Sequence, residues 1–395
     1  MRVLYITYDG ISDALGQSQI VPYLNRLLLR GYDFTVLSFE KKDSYDLHSD
    51  SLNKDTRWLK LRYTKYPLVI STCYDILKGL VIGSAALIRS KITVIHARGY
   101  VSAAIGCLLK KPFGVKFIFD MRGMWPEEKT DAGVWKKSGL LFKMTKYFEK
   151  CFLCSADTII VLTDTFKQAL SGLPCLSAKK IIVIPTCVDV DNFSISRSTS
   201  PEVRLGISGK FTVLYLGSLG TFYALEEMID FFSIIRTNKL IDNPFFLILT
   251  NNPSDFIHLS MRSRNIPKNS YRVSRISYSR LKNVLPSADV SLMFYRRDLS
   301  KRGCCPTKFG ESLACGLPVI INSGIGDTES IIAREKIGIT VKDFSVDAYK
   351  EAVEKLIEML SCKDELTARC RQTAVKYFSL SGGIDSYQKI YQELS

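Results

Sequence analysis

The chain has 395 residues, enough for two domains of roughly 190 residues that each bury their own core. Its hydrophobic fraction of 46% and charged fraction of 24% are ordinary for a folded chain and exclude an intrinsically disordered one. Eleven cysteines, an odd number spread through predicted strands and helices, argue against a disulfide framework, and the net charge of +15 favours an anionic partner.

The positive charge is scattered, and no nucleic-acid-binding motif accompanies it, so we expect no nucleic-acid partner. Nucleotide-sugar phosphates and an anionic membrane surface fit the charge better. The N-terminus, MRVLYITYDG, enters a strand directly without the pattern of a signal peptide, which predicts a cytoplasmic protein. Cys151 and Cys154 form a CxxC on a predicted helix, and no second pair at zinc spacing follows, so we expect no metal there.

Seven apolar segments alternate with helical patterns in the first half of the chain. The predicted strands are residues 3–8, 34–39, 58–63, 93–96, 115–120, 158–162 and 180–185. This alternation predicts a parallel sheet with helices on both faces, whose ligands bind beyond the carboxyl ends of the strands.

A glycine-containing loop, residues 9–18, follows the first strand and precedes a predicted helix that ends near Arg30. A glycine such as Gly16 at this junction lets the backbone approach a phosphate or a sugar closely. Because every junction of this kind needs turn residues, the loop alone does not define a site.

Residues 68–88 form the most apolar stretch of the chain. Asp75 and Lys78 within it argue against a membrane-spanning helix, and a buried helix of the first domain is the favoured interpretation. An interfacial helix is the alternative, because aromatic and basic residues at 58–66 precede it. The same mixture at 135–150 predicts a helix that either packs on the core or docks on a membrane.

Charged residues follow the fourth and fifth predicted strands, where a sheet of this type binds ligands. His96 and Arg98 follow the fourth strand, and Asp120 and Arg122 follow the fifth together with Trp125. These residues are candidates for a binding or catalytic site. The alternatives are a purely structural His96 and an Asp120–Arg122 pair that pins a loop.

The second half repeats the alternation of strand and helix. Its predicted strands are residues 211–217, 245–250, 271–276, 290–295, 319–322 and 338–341, after a Ser-rich linker that ends near Gly209. We therefore predict domains at 1–190 and 191–379.

The most informative segment is residues 306–320, with the sequence PTKFGESLACGLPVI. Pro306 and Thr307 begin a predicted helix, with Thr307 as its cap, and Gly316 ends it. Lys308 and Glu311 share one face near the helix N-terminus, where backbone N–H groups favour an anion. A lysine neutralises phosphates and a carboxylate accepts hydrogen bonds from ribose hydroxyls, so the pattern predicts a nucleotide diphosphate. A weak surface ion pair is the alternative.

This segment resembles the donor-binding motif of the retaining GT-B glycosyltransferases of family 4 (group 1), which act in bacterial surface-polysaccharide and lipopolysaccharide synthesis. Residues 184–189 are similar to the family's IPNGVD crossing between domains, and the resemblance covers nearly the whole chain. It implies a GT-B fold: two doubly wound Rossmann-like domains facing each other across a cleft, with the acceptor on the first and the nucleotide sugar on the second. It also implies that the helical tail at 347–395 packs back on the first domain, most clearly its last helix at about 380–395.

The resemblance also implies an activity and its partners. It implies hexosyl transfer from a nucleotide sugar to a hydroxyl with retention of configuration and without a metal. A lipid-linked saccharide is the expected acceptor, and the basic, aromatic surfaces suggest a peripheral protein at the inner face of the cytoplasmic membrane. Glu311 is expected to hold the ribose, Gly16 to face the diphosphate, and Asp120 to lie near the transferred sugar, with His96, Arg98 and Arg122 orienting the acceptor.

Two positions depart from the family pattern. Gly303 stands where the family has its first glutamate, and Ser218, after Gly217, stands where it has a phosphate-clamping arginine. The charge of the diphosphate is then expected to rest on Lys308 and on the basic loop that contains Arg297, unless that loop is a solvated turn. The departures keep two other functions open: a sugar-nucleotide epimerase of the same fold and a non-catalytic sugar-nucleotide-binding protein.

Overall fold

A computed structural model describes residues 1–42, 52–176, 179–193, 195 and 205–395. The chain divides into two compact units, unit 1 (Met1–Pro185 with Leu380–Ser395) and unit 2 (Thr186–Ser379). Most of the Ser-rich part of the predicted linker, residues 194 and 196–204, lies outside the described residues.

Unit 1 is built on a parallel sheet. Its described strands are β1 (Arg2–Thr7), β2 (Asp33–Glu40), β3 (Arg57–Arg62), β4 (Val94–Arg98), β5 (Lys116–Asp120), β6 (Thr158–Val161) and β7 (Lys180–Val183). They lie in the order β3-β2-β1-β4-β5-β6-β7, so the strand order reverses between β1 and β4. All seven predicted strands are present, and their carboxyl ends at this reversal form the place where such sheets bind ligands.

Helices cover the sheet of unit 1. They are α1 (Ala14–Gln19), α2 (Val21–Leu28), α3 (Leu68–Arg89), α4 (Tyr100–Phe113), α5 (Trp125–Asp131), α6 (Leu140–Ser155), α7 (Asp164–Ser171) and, from the end of the chain, α15 (Leu380–Glu393). The single helix predicted up to Arg30 is two helices that meet at Ile20. The helix predicted from Trp135 begins later, at Leu140, after a turn that ends at Gly139.

The helix α3 has two different faces. By length and composition, Val69–Arg89 is the one described helix that could cross a membrane, although only 28% of its apolar window is buried in the protein. Asp75 is fully buried on the inner face, where it pairs with Lys78 at 2.7 Å and accepts a hydrogen bond from Tyr8 at 2.9 Å. The inner face is therefore a layer of the unit 1 core, and the outer face is exposed.

Unit 2 repeats the architecture with a smaller sheet. Its described strands are β8 (Phe211–Leu216), β9 (Pro244–Leu249), β10 (Tyr271–Ser274), β11 (Val290–Met293), β12 (Val319–Asn322) and β13 (Gly338–Val341), in the order β10-β9-β8-β11-β12-β13. The six predicted strands are all present. The order reverses between β8 and β11, which defines the expected ligand-binding end of this sheet.

Helices pack on both faces of the second sheet over two buried apolar clusters. They are α8 (Leu225–Thr237), α9 (Asp255–Ser263), α10 (Tyr278–Val284), α11 (Thr307–Ala314), α12 (Thr328–Glu335), α13 (Val346–Leu360) and α14 (Lys363–Phe378). The prediction that the whole tail packs on the first domain is wrong for α13 and α14, which belong to unit 2, whereas α15 belongs to unit 1.

Candidate functional site

The helix α11 carries the two residues predicted to bind a nucleotide. Pro306 occupies its N-cap position and Thr307 is its first helical residue, so the prediction of Thr307 as the cap is wrong. Lys308 is 8% exposed and Glu311 is 4% exposed. This burial excludes the alternative of a solvated surface pair, because both side chains lie inside unit 2.

The Lys308 ammonium lies in an aromatic cage, which we define as the rings of Tyr215, Tyr223 and Tyr295. Its Nζ is 3.9 Å from the ring centroid of Tyr223, 4.7 Å from that of Tyr215 and 5.5 Å from that of Tyr295. Among the described residues, Nζ has no hydrogen-bond partner. Burial lowers the pKa of Lys308 to about 7, against the opposing influence of Cys304 and Glu311. A buried amine without a hydrogen-bond partner is available to bind an anion.

The loop after β8 approaches this ammonium directly. A Cβ at Gly217 would lie 2.8 Å from Lys308 Nζ, and Gly217 has a φ of +135°. The Tyr215 hydroxyl donates to Ser218 O at 2.6 Å, which fixes the turn that follows. Ser218 supplies no cation. Lys308 of α11 instead places a positive charge beside this loop, where the family resemblance predicts an arginine.

The same loop is tied to the loop after β11. Tyr223 and Tyr295 form an antiparallel bridge, and the Ala224 N–H donates to Phe294 O at 3.0 Å. On the α11 side, Ser312 donates to Ser291 in β11 at 3.0 Å. The cage, the glycine loop and the start of α11 therefore meet at the reversal point of the second sheet.

The remaining predicted residues of unit 2 lie on the basic loop before α11. Arg297 is exposed, donates to Ser323 Oγ at 3.5 Å and stacks on Phe344. Gly303 is buried at the end of a 3₁₀ turn, so no side chain replaces the family's first glutamate at that position. Lys301 is buried too, with its Nζ 4.0 Å above the ring of Phe222. Within this loop, Lys301 is more enclosed than Arg297.

In unit 1, the predicted residues at the ends of β4 and β5 form a charged cluster around Asp120. Asp120 is 0% exposed. Its Oδ2 is 3.5 Å from His96 Nε2 and 3.7 Å from Arg98 Nη1, and its Oδ1 is 3.6 Å from Arg122 Nη1. Tyr387 in α15 donates to Asp120 Oδ2 at 3.1 Å. The cluster brings together all four predicted side chains of unit 1.

The protonation states of this cluster follow from its charges and its burial. Burial alone would raise the pKa of Asp120, but Arg122, His96 and Arg98 hold it well below its usual range. Burial lowers the pKa of His96, although Asp120 opposes the shift. His96 Nδ1 lies 2.7 Å from the Tyr391 hydroxyl. Asp120 is therefore ionised beside a neutral His96, and unit 1 encloses both residues. These contacts are the ones expected if His96 and Asp120 have structural roles.

Gly16 has a structural explanation. A Cβ at Gly16 would lie 2.2 Å from Gly10 O, so the tight loop after β1 requires glycine there. The loop is held by Glu40 at the end of β2, a residue that the sequence analysis did not single out. Buried Glu40 accepts hydrogen bonds from the N–H groups of Ile11 at 2.8 Å and Ser12 at 3.1 Å. The sequence signal that could have identified Glu40 is a glutamate at the end of an apolar strand.

Two family models match the chain in succession. Residues 19–192 match the family described as Glycosyltransferase Family 4, and residues 198–377 match the family described as Glycosyl transferases group 1. No curated protein matches the chain at a significant level.

Solved structures with the same fold cover essentially the whole chain. Sucrose-phosphate synthase from Thermosynechococcus elongatus has a TM-score of 0.79 at 15% identity, covering 100% of this chain and 99% of that one. Anabaena HepE in complex with UDP-glucose has a TM-score of 0.68 at 12% identity, covering 100% of each chain. WaaG, a glycosyltransferase involved in lipopolysaccharide biosynthesis, has a TM-score of 0.67 at 12% identity, covering 97% of this chain and 98% of that one. At these identities the similarity identifies the fold.

Proposed function

The chain is a GT-B glycosyltransferase with a group 1 domain in its second half, and we propose that it transfers a hexose from a nucleotide-sugar donor to a hydroxyl group with retention of configuration. The proposal rests on one observation: the buried Lys308 ammonium has no hydrogen-bond partner among the described residues and faces the glycine loop after β8. Solved HepE structures contain UDP and UDP-glucose, which makes a UDP-sugar the first donor to test.

Each residue has a separate task in the proposed donor site. Lys308 and the N–H groups at the start of α11 stabilise the negative charge of the diphosphate, while Glu311, one turn further along, accepts hydrogen bonds from the ribose. As the reaction proceeds, the bond from the anomeric carbon to the diphosphate oxygen breaks and its electron pair remains on the diphosphate. The acceptor hydroxyl attacks the same face of the sugar, and its proton passes to a diphosphate oxygen.

Unit 1 would bind the acceptor in this proposal. Because Asp120 is fully buried, we assign it a positioning role, in which it fixes Arg98 and Arg122 rather than contacting the acceptor directly. His96 supports the same carboxylate. Gly16 lets the loop after β1 turn tightly.

Nucleotide binding is the first measurement. A thermal-shift screen against UDP, GDP, ADP, CMP and their sugars should select one nucleotide family, because a ligand that binds only the folded protein raises its melting temperature. Lys308→Met and Glu311→Ala should each weaken binding roughly 10- to 100-fold, since each removes a charge-assisted hydrogen bond. Lys282→Met and Glu354→Ala change exposed residues of the same unit and serve as controls. A screen without any response would argue against the donor site.

Product analysis separates the possible activities. Nuclear magnetic resonance of a product with a new glycosidic bond should show the anomeric configuration of the donor. Release of a free epimerised sugar would instead support an epimerase, and nucleotide binding without any turnover would support a non-catalytic binding protein. We further propose that no metal is required, because Lys308 supplies the positive charge. Activity that EDTA abolishes and magnesium restores would contradict this part.

The proposed acceptor is a lipid-linked saccharide at the inner face of the cytoplasmic membrane. Support comes from the outer face of α3, where Ile70, Leu77 and Val81 are 60–68% exposed. A second helix, α6, packs with α3 against α4 and exposes Met144 and Phe148 beside several lysines. Apolar side chains flanked by positive charge are typical of a helix that lies on an anionic membrane surface.

Vesicle binding tests the membrane part of the proposal. The wild-type protein should cosediment with vesicles that contain phosphatidylglycerol and less well with phosphatidylcholine vesicles. Combined Ile70→Ser, Leu77→Ser and Val81→Ser substitutions should abolish cosedimentation, because they remove the apolar face of α3. Phe256→Ser with Leu259→Ser, at exposed apolar positions of α9, is the matched control. Equal sedimentation of all three proteins would contradict membrane binding through α3, and sedimentation no better with phosphatidylglycerol vesicles than with phosphatidylcholine vesicles would contradict peripheral binding to an anionic membrane.

A further inference from the structure

The aromatic cage around Lys308 is assembled from three separate segments of unit 2. Tyr215 belongs to β8, Tyr223 follows the glycine loop, and Tyr295 follows β11. All three side chains are largely withdrawn from solvent. Burial raises the pKa of each phenol above its ordinary value, so the rings face Lys308 in their neutral form.

The cage is held together by contacts that do not involve Lys308. The Tyr215 hydroxyl donates to Ser218 O at 2.6 Å, and the ring centroids of Tyr223 and Tyr295 are 4.9 Å apart. A backbone bridge joins the residues of this second pair. The position of the three rings is therefore set by the sheet and its loops, and the cage confines the end of a long, flexible lysine side chain.

Aromatic rings stabilise an ammonium differently from a carboxylate. The negative face of each ring attracts the charge without forming an ion pair or accepting a strong hydrogen bond. The N–H groups of Lys308 consequently remain available to phosphate oxygens. A carboxylate in the same place would compete with the diphosphate for them.

The charged and titratable groups that face Lys308 are Cys304, Glu311 and the three cage tyrosines. Burial outweighs the influence of Cys304 and Glu311, and the pKa of Lys308 falls to about 7. In the ligand-free protein the amine is thus only partly protonated at neutral pH. Two phosphate groups beside it would favour the ammonium form and draw a proton from solvent.

Resting on the proposed donor site, we propose that Tyr215, Tyr223 and Tyr295 are positioning residues that hold Lys308 without a hydrogen-bonded counter-ion, so that binding of the donor's diphosphate is coupled to uptake of a proton by Lys308. The donor's affinity then depends on pH in a defined direction. It falls as the pH rises above about 7, because more of the amine must be protonated on binding, and it is nearly constant below that pH.

Calorimetry measures the coupling directly. UDP-glucose is the probe, because each phosphate of its diphosphate is also esterified to a sugar and lacks the second ionisation that a phosphomonoester shows at about 6. Titrations at about pH 8 in two buffers of different ionisation enthalpy give the number of protons taken up. We expect an uptake approaching one proton for the wild-type protein and none for Lys308→Met. Binding to the wild-type protein without proton uptake would overturn the inference and leave the donor site intact.

Variants of Tyr223 test the cage. Tyr223→Phe keeps the ring face and should bind UDP-glucose like the wild-type protein. Tyr223→Leu keeps an apolar wall but removes the ring, and should weaken binding about 3- to 30-fold, with a steeper loss at high pH. Tyr271→Leu, at a buried tyrosine of the same unit outside the cage, should leave the affinity unchanged. An unchanged affinity and pH profile in Tyr223→Leu would contradict the cage.

Measuring the titration of Lys308 in the ligand-free protein makes the test independent of which nucleotide the protein binds. The ¹³Cε signal of Lys308, assigned by its disappearance in Lys308→Met, should titrate with a midpoint near 7 in the wild-type protein. A midpoint near the ordinary lysine value of about 10.4 would overturn the inference even if UDP-glucose does not bind. Failure of every nucleotide sugar to bind, with a midpoint near 7, would overturn the proposed donor site instead.

Discussion

Gly217 is the residue on which the Lys308 position depends most directly. A side chain there would meet Lys308 Nζ at 2.8 Å, and its φ of +135° is one that L residues rarely adopt. We expect Gly217→Ala to strain the loop by about 1–3 kcal/mol and to displace the ammonium. The affinity for the nucleotide selected in the screen should fall accordingly, as measured by calorimetry.

Gly220 provides a matched control in the same loop. A Cβ at Gly220 would meet nothing within 4 Å, and its φ lies outside the range that L side chains avoid. Gly220→Ala should therefore bind the nucleotide like the wild-type protein. Equal losses of affinity in the two variants would show that the loop's general mobility, and not the contact with Lys308, governs binding.

Asp120 is the centre of the buried charged cluster in unit 1. Asp120→Asn would leave Arg98 and Arg122 close to each other without their shared negative charge, and we expect it to reduce the free energy of unfolding by about 3–5 kcal/mol. Urea denaturation at neutral pH measures this loss. Asp55→Asn, at an exposed position of the same unit, should change the stability little.

Acid should diminish the effect of Asp120→Asn. The neighbouring cations hold the pKa of Asp120 below its usual range in the folded protein. The carboxylate therefore stabilises the fold at pH values above its unfolded pKa of about 4, and this contribution is lost as the pH falls through the folded pKa. The stabilities of wild type and variant should begin to converge below about pH 4 and approach each other as the pH falls towards the folded pKa. Parallel curves down to the acid limit of folding would contradict this assignment.

The candidate residues differ in how far the sequence predicts them. Lys308 and Glu311 are predictable because their spacing on a helix puts them on one face. The aromatic cage is not, because its three rings come from distant segments that only the sheet brings together. The partners of His96 and Asp120 in α15 escape prediction for the same reason.

At the level of elements, the loop between β1 and α1 depends on Gly16. A Cβ at this position would overlap the backbone of Gly10 and Ile11. We expect Gly16→Ala to lower the free energy of unfolding by about 2–3 kcal/mol, measured by urea denaturation. Gly172→Ala is the control, because a Cβ there meets its nearest neighbour at an ordinary 3.8 Å. Comparable losses in both variants would contradict the steric explanation.

Strands were easier to predict than helix ends. Most strands of both sheets are short apolar runs bounded by turn residues, a pattern that is clear in sequence; β3 and β10, with the sequences RWLKLR and YRVS, are the more polar ones. Helix ends depend more on tertiary contacts, and the N-cap at Pro306 has no strong local signal. The break at Ile20 did have one, because Pro22 lies in the first turn of α2, where proline is typical of a helix start. The two faces of α3 explain why its sequence allowed both a buried and an interfacial interpretation.

At the scale of the molecule, α15 completes unit 1 after the chain has passed through unit 2. Deleting Leu380–Ser395 removes Tyr391 and Tyr387, which contact His96 and Asp120, and uncovers Tyr23 and Phe34, which pack against these tyrosines. Hydrogen exchange should therefore accelerate in α2 and β4 and stay unchanged in unit 2. Tyr387→Phe with Tyr391→Phe keeps the rings and should give a smaller effect. Faster exchange throughout unit 2 would contradict an autonomous second unit.

The repeated alternation of strand and helix predicted both doubly wound sheets, and the order of the strands follows the common rule for such folds. The family resemblance predicted that the last helix returns to the first domain. The predicted domain boundary at 379 places α13 and α14 with the second domain, whereas the expectation that the whole tail packs on the first domain did not separate them from α15.

The late position of α15 also has a consequence for synthesis on the ribosome. A chain is made from its N-terminus, so the sheet of unit 1 emerges first but lacks α15 until all of unit 2 has been translated. During that interval the faces of Tyr23 and Phe34 that α15 covers are open to solvent. The nascent protein therefore carries an incomplete first domain with exposed aromatic side chains while its second domain folds. We expect a chaperone to bind at this stage.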